Sequence, residues 1–85
     1  MAVFVERTTH RGTIVRVGPT SFILRTTPAP LEILYVHCDH VPDHVLVEAR
    51  ESLEAGVRVV AVSGFVARTT ERDLWLTDVR FVEPV

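Results

Sequence analysis

The sequence predicts a small, mostly β protein: a five-stranded Greek-key barrel with one short helix between strands 3 and 4. Three observations carry that prediction. The 16 Val, 3 Ile and 9 Thr make 28 of 85 residues β-branched, against 7 Leu, and branched side chains suit a pleated, half-buried surface. Clusters of Gly, Pro and polar residues punctuate a series of short apolar runs. Only one segment, around residues 43–55, carries a helical period. A chain this short has two sheet edges to hide, and closing the sheet with the helix plugging one end is the economical solution. A single domain over 1–85 is expected.

The elements follow in order. Residues 1–10 alternate Val3 and Val5 with Phe4 and Glu6 before turning polar, as in an N-terminal arm or edge strand. Residues 12–17 (GTIVRV) form the first strand, Gly18-Pro19-Thr20-Ser21 a turn, and 22–27 (FILRTT) the returning strand. Parity puts Thr13, Val15 and Val17 on one face with Phe22, Leu24 and Thr26, and leaves Arg16 and Arg25 on the wetter face. Pro28-Ala29-Pro30 then interrupts the ladder, because proline removes a donor and fixes φ.

Residues 31–37 (LEILYVH) form the third strand, with Leu31, Ile33, Tyr35 and His37 on one face and Glu32, Leu34 and Val36 on the other. Both faces are substantially apolar, so partial cover is expected on the side away from the core. Residues 38–56 admit two readings. In the favoured one Asp43 is the N-cap, Val45, Leu46, Ala49 and Leu53 recur at helical spacing, and Gly56 ends the helix at C′. In the other, Val45-Leu46-Val47 is a short strand before one turn of helix at 51–55.

Residues 57–68 (VRVVAVSGFVAR) form the longest strand, apolar on both faces at its middle, with Gly64 permitting a bend or bulge. Residues 69–73 are a polar turn and 74–82 (LWLTDVRFV) the last strand. Leu74 and Leu76 share one parity and Val79 and Phe81 the other, so a bulge is expected at Thr77-Asp78. Pro84 ends the ordered pattern.

Composition bounds function. A hydrophobic fraction of 47% with 24% charged residues excludes a disordered tail. All nine basic residues are Arg, and the net charge of −2 supplies no general pull toward nucleic acid or an anionic membrane. No run approaches the roughly 20 apolar residues of a membrane span, so no membrane partner is expected. MAVFVERTTH carries neither a basic leader nor an apolar core segment, which makes the cytoplasm the expected location. One cysteine allows no internal disulfide.

The hairpin GTIVRVGPTSFILR, the helix-like connector and the closing stretch GVRVVAVSGFVARTTERDLWLTDVRFV resemble small bacterial OB-fold (oligonucleotide/oligosaccharide-binding) domain proteins over residues 10–83. The resemblance implies a binding face across strands 2 and 3, flanked by the loops joining strands 1 to 2 and 4 to 5. Here that points to Phe22, Ile23, Arg25, Tyr35 and His37, to the turn at 18–21, and to residues 68–73. Nucleic-acid-binding OB domains usually show several exposed aromatics interleaved with basic residues, whereas this chain has only six aromatics in all, some of which the core must claim.

Arg16, Arg25, Arg58, Arg68, Arg72 and Arg80 form either a discontinuous surface that tracks phosphates or ordinary solvated strand positions paired with the eleven carboxylates. Tyr35 is the best candidate stacking platform, Phe22 belongs with the inward set, and Trp75 faces outward if Leu74 and Leu76 are buried. His37, Cys38, Asp39, His40 and His44 are the densest set of potential metal donors, but no HExxH or paired CxxC completes a site, so no metal is expected. Cys38 reads as a small buried hydrophobe. Glu71 and Asp73 are expected to pair with Arg68 and Arg72. Phosphate-binding, dinucleotide-binding and nucleophile-elbow motifs are absent from the sequence, so neither enzymatic activity nor a cofactor is expected.

The sequence therefore points to a non-catalytic binding module for single-stranded nucleic acid, contacted by Arg16, Arg25, Tyr35, His37, Arg68 and Arg72. The alternative is a structural or assembly protein, in which Trp75, Leu34 and Val36 form an apolar interface for homo- or hetero-oligomerisation.

Overall fold

The computed structural model describes residues 7–26, 33–56 and 59–82. The alternating residues 1–6, the proline segment 28–30 with its flanks 27 and 31–32, Arg58 and the terminal Pro84 lie outside the described residues. The elements are β1 (Thr8–Val17), β2 (Phe22–Thr26), β3 (Leu34–Cys38), α1 (Asp43–Glu54), β4 (Val60–Thr69) and β5 (Asp73–Val82). The five strands close a mixed barrel in the order β1-β2-β3-β5-β4, with α1 inserted between β3 and β4. Every neighbouring pair is antiparallel except β3 and β5, which run parallel. This is the OB-like topology expected from the sequence.

β1 closes the barrel by serving two partners. Its first half, Thr8 to Gly12, pairs with β4, and its second half, Thr13 to Val17, pairs with β2. The strand therefore starts earlier than the GTIVRV run, and Thr8, Thr9 and His10 belong to it rather than to an arm or edge strand. Gly12 stands where the partners change. A Cβ there would lie 2.2 Å from the Arg25 carbonyl oxygen, so only glycine allows the two backbones to approach this closely.

A register shift between Ile14 and Arg16 leaves Val15 without a partner on β2. The inward set therefore differs from simple alternation: Ile14 is 3% exposed and buried in the core, whereas Val15 is 40% exposed. Val17 returns to the core side beyond the bulge, opposite Phe22. An extra residue flips parity, which period-two reasoning cannot anticipate. Arg16 and Arg25 are exposed as expected.

On β3, Val36 and Cys38 are fully buried and Leu34 packs against the core. Leu34 and Val36 were expected to supply an interface. They instead face the interior, and the apolar side left outward is that of Ile33 and Tyr35. Both faces of the strand are apolar because one is core and the other carries the site described below.

The helix spans the full favoured range, which sets aside the short-strand alternative. Its N-cap is Pro42 rather than Asp43: Pro42 has φ −60° and ψ 153° and makes no side-chain cap bond. Its carbonyl accepts from the Val45 and Leu46 amides at 3.0 and 3.1 Å. The proline ring presets φ for a helix entry, which moves Asp43 into the first turn, where a carboxylate favours the positive end of the helix. Gly56 follows the C-cap at φ 65°, as predicted. Val45, Leu46 and Ala49 enter the core beside Ile14, Leu24, Leu76 and Val79. Leu53 shares their period but is exposed, so the apolar stripe stops one turn early.

β4 and β5 carry the expected bulge. Ser63 pairs with Arg80 and Phe65 with Thr77, so β5 has one residue more than β4 between them. Asp78 takes φ 50° there, and a Cβ on Gly64 would meet the Thr77 carbonyl oxygen at 2.8 Å. The inward set passes from Leu74 and Leu76 to Val79, with Phe81 packed against the core and stacked on Phe22 at 5.8 Å between centroids. A second shift, between Val66 and Arg68, brings Arg68 opposite Trp75. Among the described residues no helix is long and apolar enough to cross a membrane.

Candidate functional site

The outward residues of the strands make two rows. Strand register sets Arg16 opposite Ile23, Ile23 opposite His37, His37 opposite Trp75, and Trp75 opposite Arg68. A second row runs from Arg25 to Tyr35 to Asp73. Their inward counterparts, Leu24, Val36 and Leu74, are core, so alternation turns these rows to the outside. Because β5 lies between β3 and β4, Trp75 is contacted from both neighbouring strands.

Those contacts are specific. The His37 ring stacks on the indole with centroids 4.8 Å apart and planes 12° from parallel. From the β4 side the Arg68 guanidinium carbon lies 3.9 Å from the indole centroid, within cation–π range. His37 Nε2 shares a hydrogen bond with Asp73 Oδ1 at 2.8 Å. Asp73 is itself fixed by the β4–β5 turn: its carbonyl accepts from the Thr70 amide at 2.7 Å, and its amide donates to Thr70 Oγ1 at 3.2 Å. Contacts thus run in series from Thr70 to Asp73, His37, Trp75 and Arg68.

Tyr35 stands beside this stack, 37% exposed, and its amide donates to the Arg72 carbonyl at 2.9 Å. The tip of the β4–β5 turn therefore leans on the start of β3, which carries the Arg72 backbone to the edge of the same face. At the other flank, the turn after β1 is held by Gly18 N donating to Ser21 O at 2.7 Å. Thr20 O ties it to the α1 approach by accepting from Val41 N at 3.0 Å.

Charge is distributed unevenly over the molecule. Among the described residues the ion pairs are Arg7 and Arg80 with Asp78, and His37 with Asp73. None involves Arg16, Arg25, Arg68 or Arg72. The expected pairing of Glu71 and Asp73 with Arg68 and Arg72 does not occur there: Asp73 is engaged by His37, and Arg68 lies on Trp75. Segment 39–54 holds Asp39, Asp43, Glu48, Glu51 and Glu54 against Arg50 alone. Carboxylates are concentrated in the helix segment, while guanidinium groups with no ion pair among the described residues lie on the strand face and in its turn.

Of the residues named from sequence, Arg16, Arg25, Tyr35, His37 and Arg68 fall in the two rows, with Arg72 in the adjoining turn. Trp75, expected to face outward toward a ligand or a partner subunit, stands at the centre of the same face. Arg80 lies elsewhere, pairing across to Ser63 and reaching Asp78 at 3.5 Å. Phe22 is 1% exposed and belongs to the core. Sequence reasoning gave Asp73 the wrong partner and left Ile23 without a neighbour to link it to Trp75. The missing information is the parallel β3–β5 pairing, which no local pattern announces.

The His/Cys cluster disperses. Cys38 is wholly buried, and desolvation, with Asp39 adding to it, pushes its thiol up to about 12. His40 and His44 are exposed. Among the described residues no three His, Cys, Asp or Glu side chains meet in a metal-holding arrangement. Compared with protein-family models, curated proteins and solved structures, the chain matches none.

Proposed function

We propose that this barrel is a non-catalytic module that binds single-stranded nucleic acid across the outward face of β2, β3 and β5. The observation that carries this reading is the coincidence of four guanidinium groups, free of carboxylate partners among the described residues, with an exposed tyrosine and a stacked indole. Phosphates are recognised by Arg forks and bases by π faces, and single-strand binders combine the two along one groove. OB-type barrels use this same face and its flanking loops, which supports the reading by analogy of fold. The assembly reading draws no support from Leu34 and Val36, whose side chains are spent on the core.

Titration of a fluorescently labelled oligothymidylate tests it. If Arg16, Arg25, Arg68 and Arg72 each neutralise a phosphate, log affinity should fall with log salt at a slope of roughly −3, about a fiftyfold loss between roughly 50 and 200 mM. Arg25→Ala and Arg68→Ala should each weaken binding across sequences and flatten the slope by about 1. Undetectable binding at low salt ends the proposal.

A further inference from the structure

The two strand rows hold a carboxylate, Asp73, whose presence a polyanion receptor does not explain. Asp73 sits in the second row next to Tyr35, on the face where a phosphate chain would lie, and its charge repels that ligand. Coulomb's law by itself says that the face would bind better without it. Yet Asp73 makes the most directed contact in the cluster, the 2.8 Å hydrogen bond to His37 Nε2.

We infer that Asp73 and His37 are positioning residues that hold Trp75 as a pedestal for Arg68, so that the indole presents a cation to a phosphate rather than a bare face to a base. This rests on the nucleic-acid reading of the same face and deepens it by dividing the labour. Arg68 takes a backbone phosphate, and Tyr35 is the surface on which a base stacks.

The geometry supports each step. An indole free to stack a base needs an open π face, but Trp75 is approached by His37 from β3 and by Arg68 from β4. An arginine on a flexible stem loses rotamer freedom when it grips a ligand. Resting the guanidinium 3.9 Å above a ring centroid meets part of that cost before the ligand arrives, while leaving the N–H donors at its rim for phosphate oxygens. The pedestal needs a fixed indole, and the His37 ring supplies the wall against which it is fixed. His37 in turn is held by Asp73, and Asp73 by its own backbone bonds to Thr70. Tyr35, one row away and 37% exposed, is left as the open aromatic.

The relay and simple electrostatics predict opposite signs for one substitution. Asp73→Ala removes a negative charge and also the anchor of His37. Pure Coulomb attraction then strengthens oligothymidylate binding, whereas the relay weakens it by roughly two- to fivefold, the range of a surface cation–π contact. Asp73→Asn removes the charge but keeps an acceptor for His37, so it should reverse the loss and bind more tightly than the wild type. In an Arg68→Ala background Asp73→Ala should no longer weaken binding, since the group it positions is gone. Asp73→Ala binding as tightly as Asp73→Asn overturns the relay. If Asp73→Ala does not fold, His37→Ala carries the same test, with a loss expected only where Arg68 is present.

A second readout does not depend on the ligand. Trp75 is the only tryptophan, so its emission reports the pedestal directly in the free protein. Asp73→Ala, His37→Ala and Arg68→Ala should each shift it, and Asp73→Asn should leave it near the wild-type wavelength. An unshifted Asp73→Ala spectrum overturns the relay even if nucleic acid never binds. Loss of oligothymidylate binding with these shifts intact overturns only the nucleic-acid reading.

Discussion

Arg7 reaches over β4 to Asp78 on β5, pairing with its carboxylate and donating through Nη1 to its carbonyl oxygen at 2.7 Å. The same nitrogen lies 3.2 Å from the Ser63 carbonyl, and the guanidinium rests 4.6 Å from the Phe65 ring centroid. All of these partners border the β4–β5 bulge. A bulge frees backbone carbonyls from the ladder, and here one side chain 56 to 71 residues distant in sequence satisfies them.

Arg7→Ala should therefore destabilise the fold well beyond an ordinary surface substitution. Hydrogen bonds to a charged donor contribute about 1.5–3 kcal/mol when sheltered. Asp78 is half exposed, at 53%, so solvent screening lowers the expected loss to roughly 1–2 kcal/mol. Urea denaturation measures it. A variant within about 0.5 kcal/mol of the wild type, the range of an indifferent surface site, would show that water replaces Arg7 without penalty.

Gly12 and Gly56 should respond differently to the same change. At Gly12 an added methyl would sit 2.2 Å from the Arg25 carbonyl oxygen. Backbone must move at the point where β1 changes partners, and overpacking of this kind costs about 1–3 kcal/mol or more. At Gly56 nothing lies within 4 Å of the added atom, so only the positive φ of 65° is penalised, by about 1–2 kcal/mol. Denaturation midpoints of Gly12→Ala and Gly56→Ala should fall in that order, and Gly12→Ala should also disturb Arg25 on the outward face. Equal midpoints would mean that the β1–β2 approach relaxes freely.

The contrast between these glycines marks where sequence was legible. Gly56, Gly64 and the Thr77-Asp78 step stand at points where local pattern breaks, so their roles could be anticipated from neighbours. Gly12 looks like any strand residue, because its constraint comes from β2 across the sheet. The site divides in the same way. Arg16 and Arg25 follow from alternation, a local property, whereas Tyr35 and Arg68 follow from the OB-fold resemblance. The stacking of His37, Trp75 and Arg68 depends on parallel β3–β5 pairing and on an extra residue in β4. Long-range register has no local signature. The error at Val15 has the same origin, since one unannounced bulge exchanged it for Ile14.

Cys38 should be chemically silent while the protein is folded. Its side chain is fully covered and its thiol is pushed up to about 12, first by desolvation and then by Asp39. Near neutral pH almost no thiolate exists to attack a disulfide reagent. Ellman's reagent should label the protein at once in denaturant, but in native buffer only at the rate of structural opening. Rapid native labelling would show that the β3 end of the core opens on its own.

His10 gives the fold a pH dependence whose sign is set by burial. Its imidazole lies 2.9 Å from Thr8 Oγ1, and desolvation holds its pKa below the usual value of 6.5. The folded protein therefore prefers the neutral ring, while the unfolded chain takes up a proton near pH 6.5. Below that pH the unfolded state binds more protons than the native state, so stability declines as acidity increases. The contribution is complete above 6.5 and is lost as the pH falls through the depressed native value. Urea midpoints should therefore drop as the pH falls below 6.5. His10→Gln should flatten that part of the profile while leaving the steeper fall at lower pH. An NMR titration of His10 would give the value directly, and a midpoint at or above 6.5 would contradict the assignment.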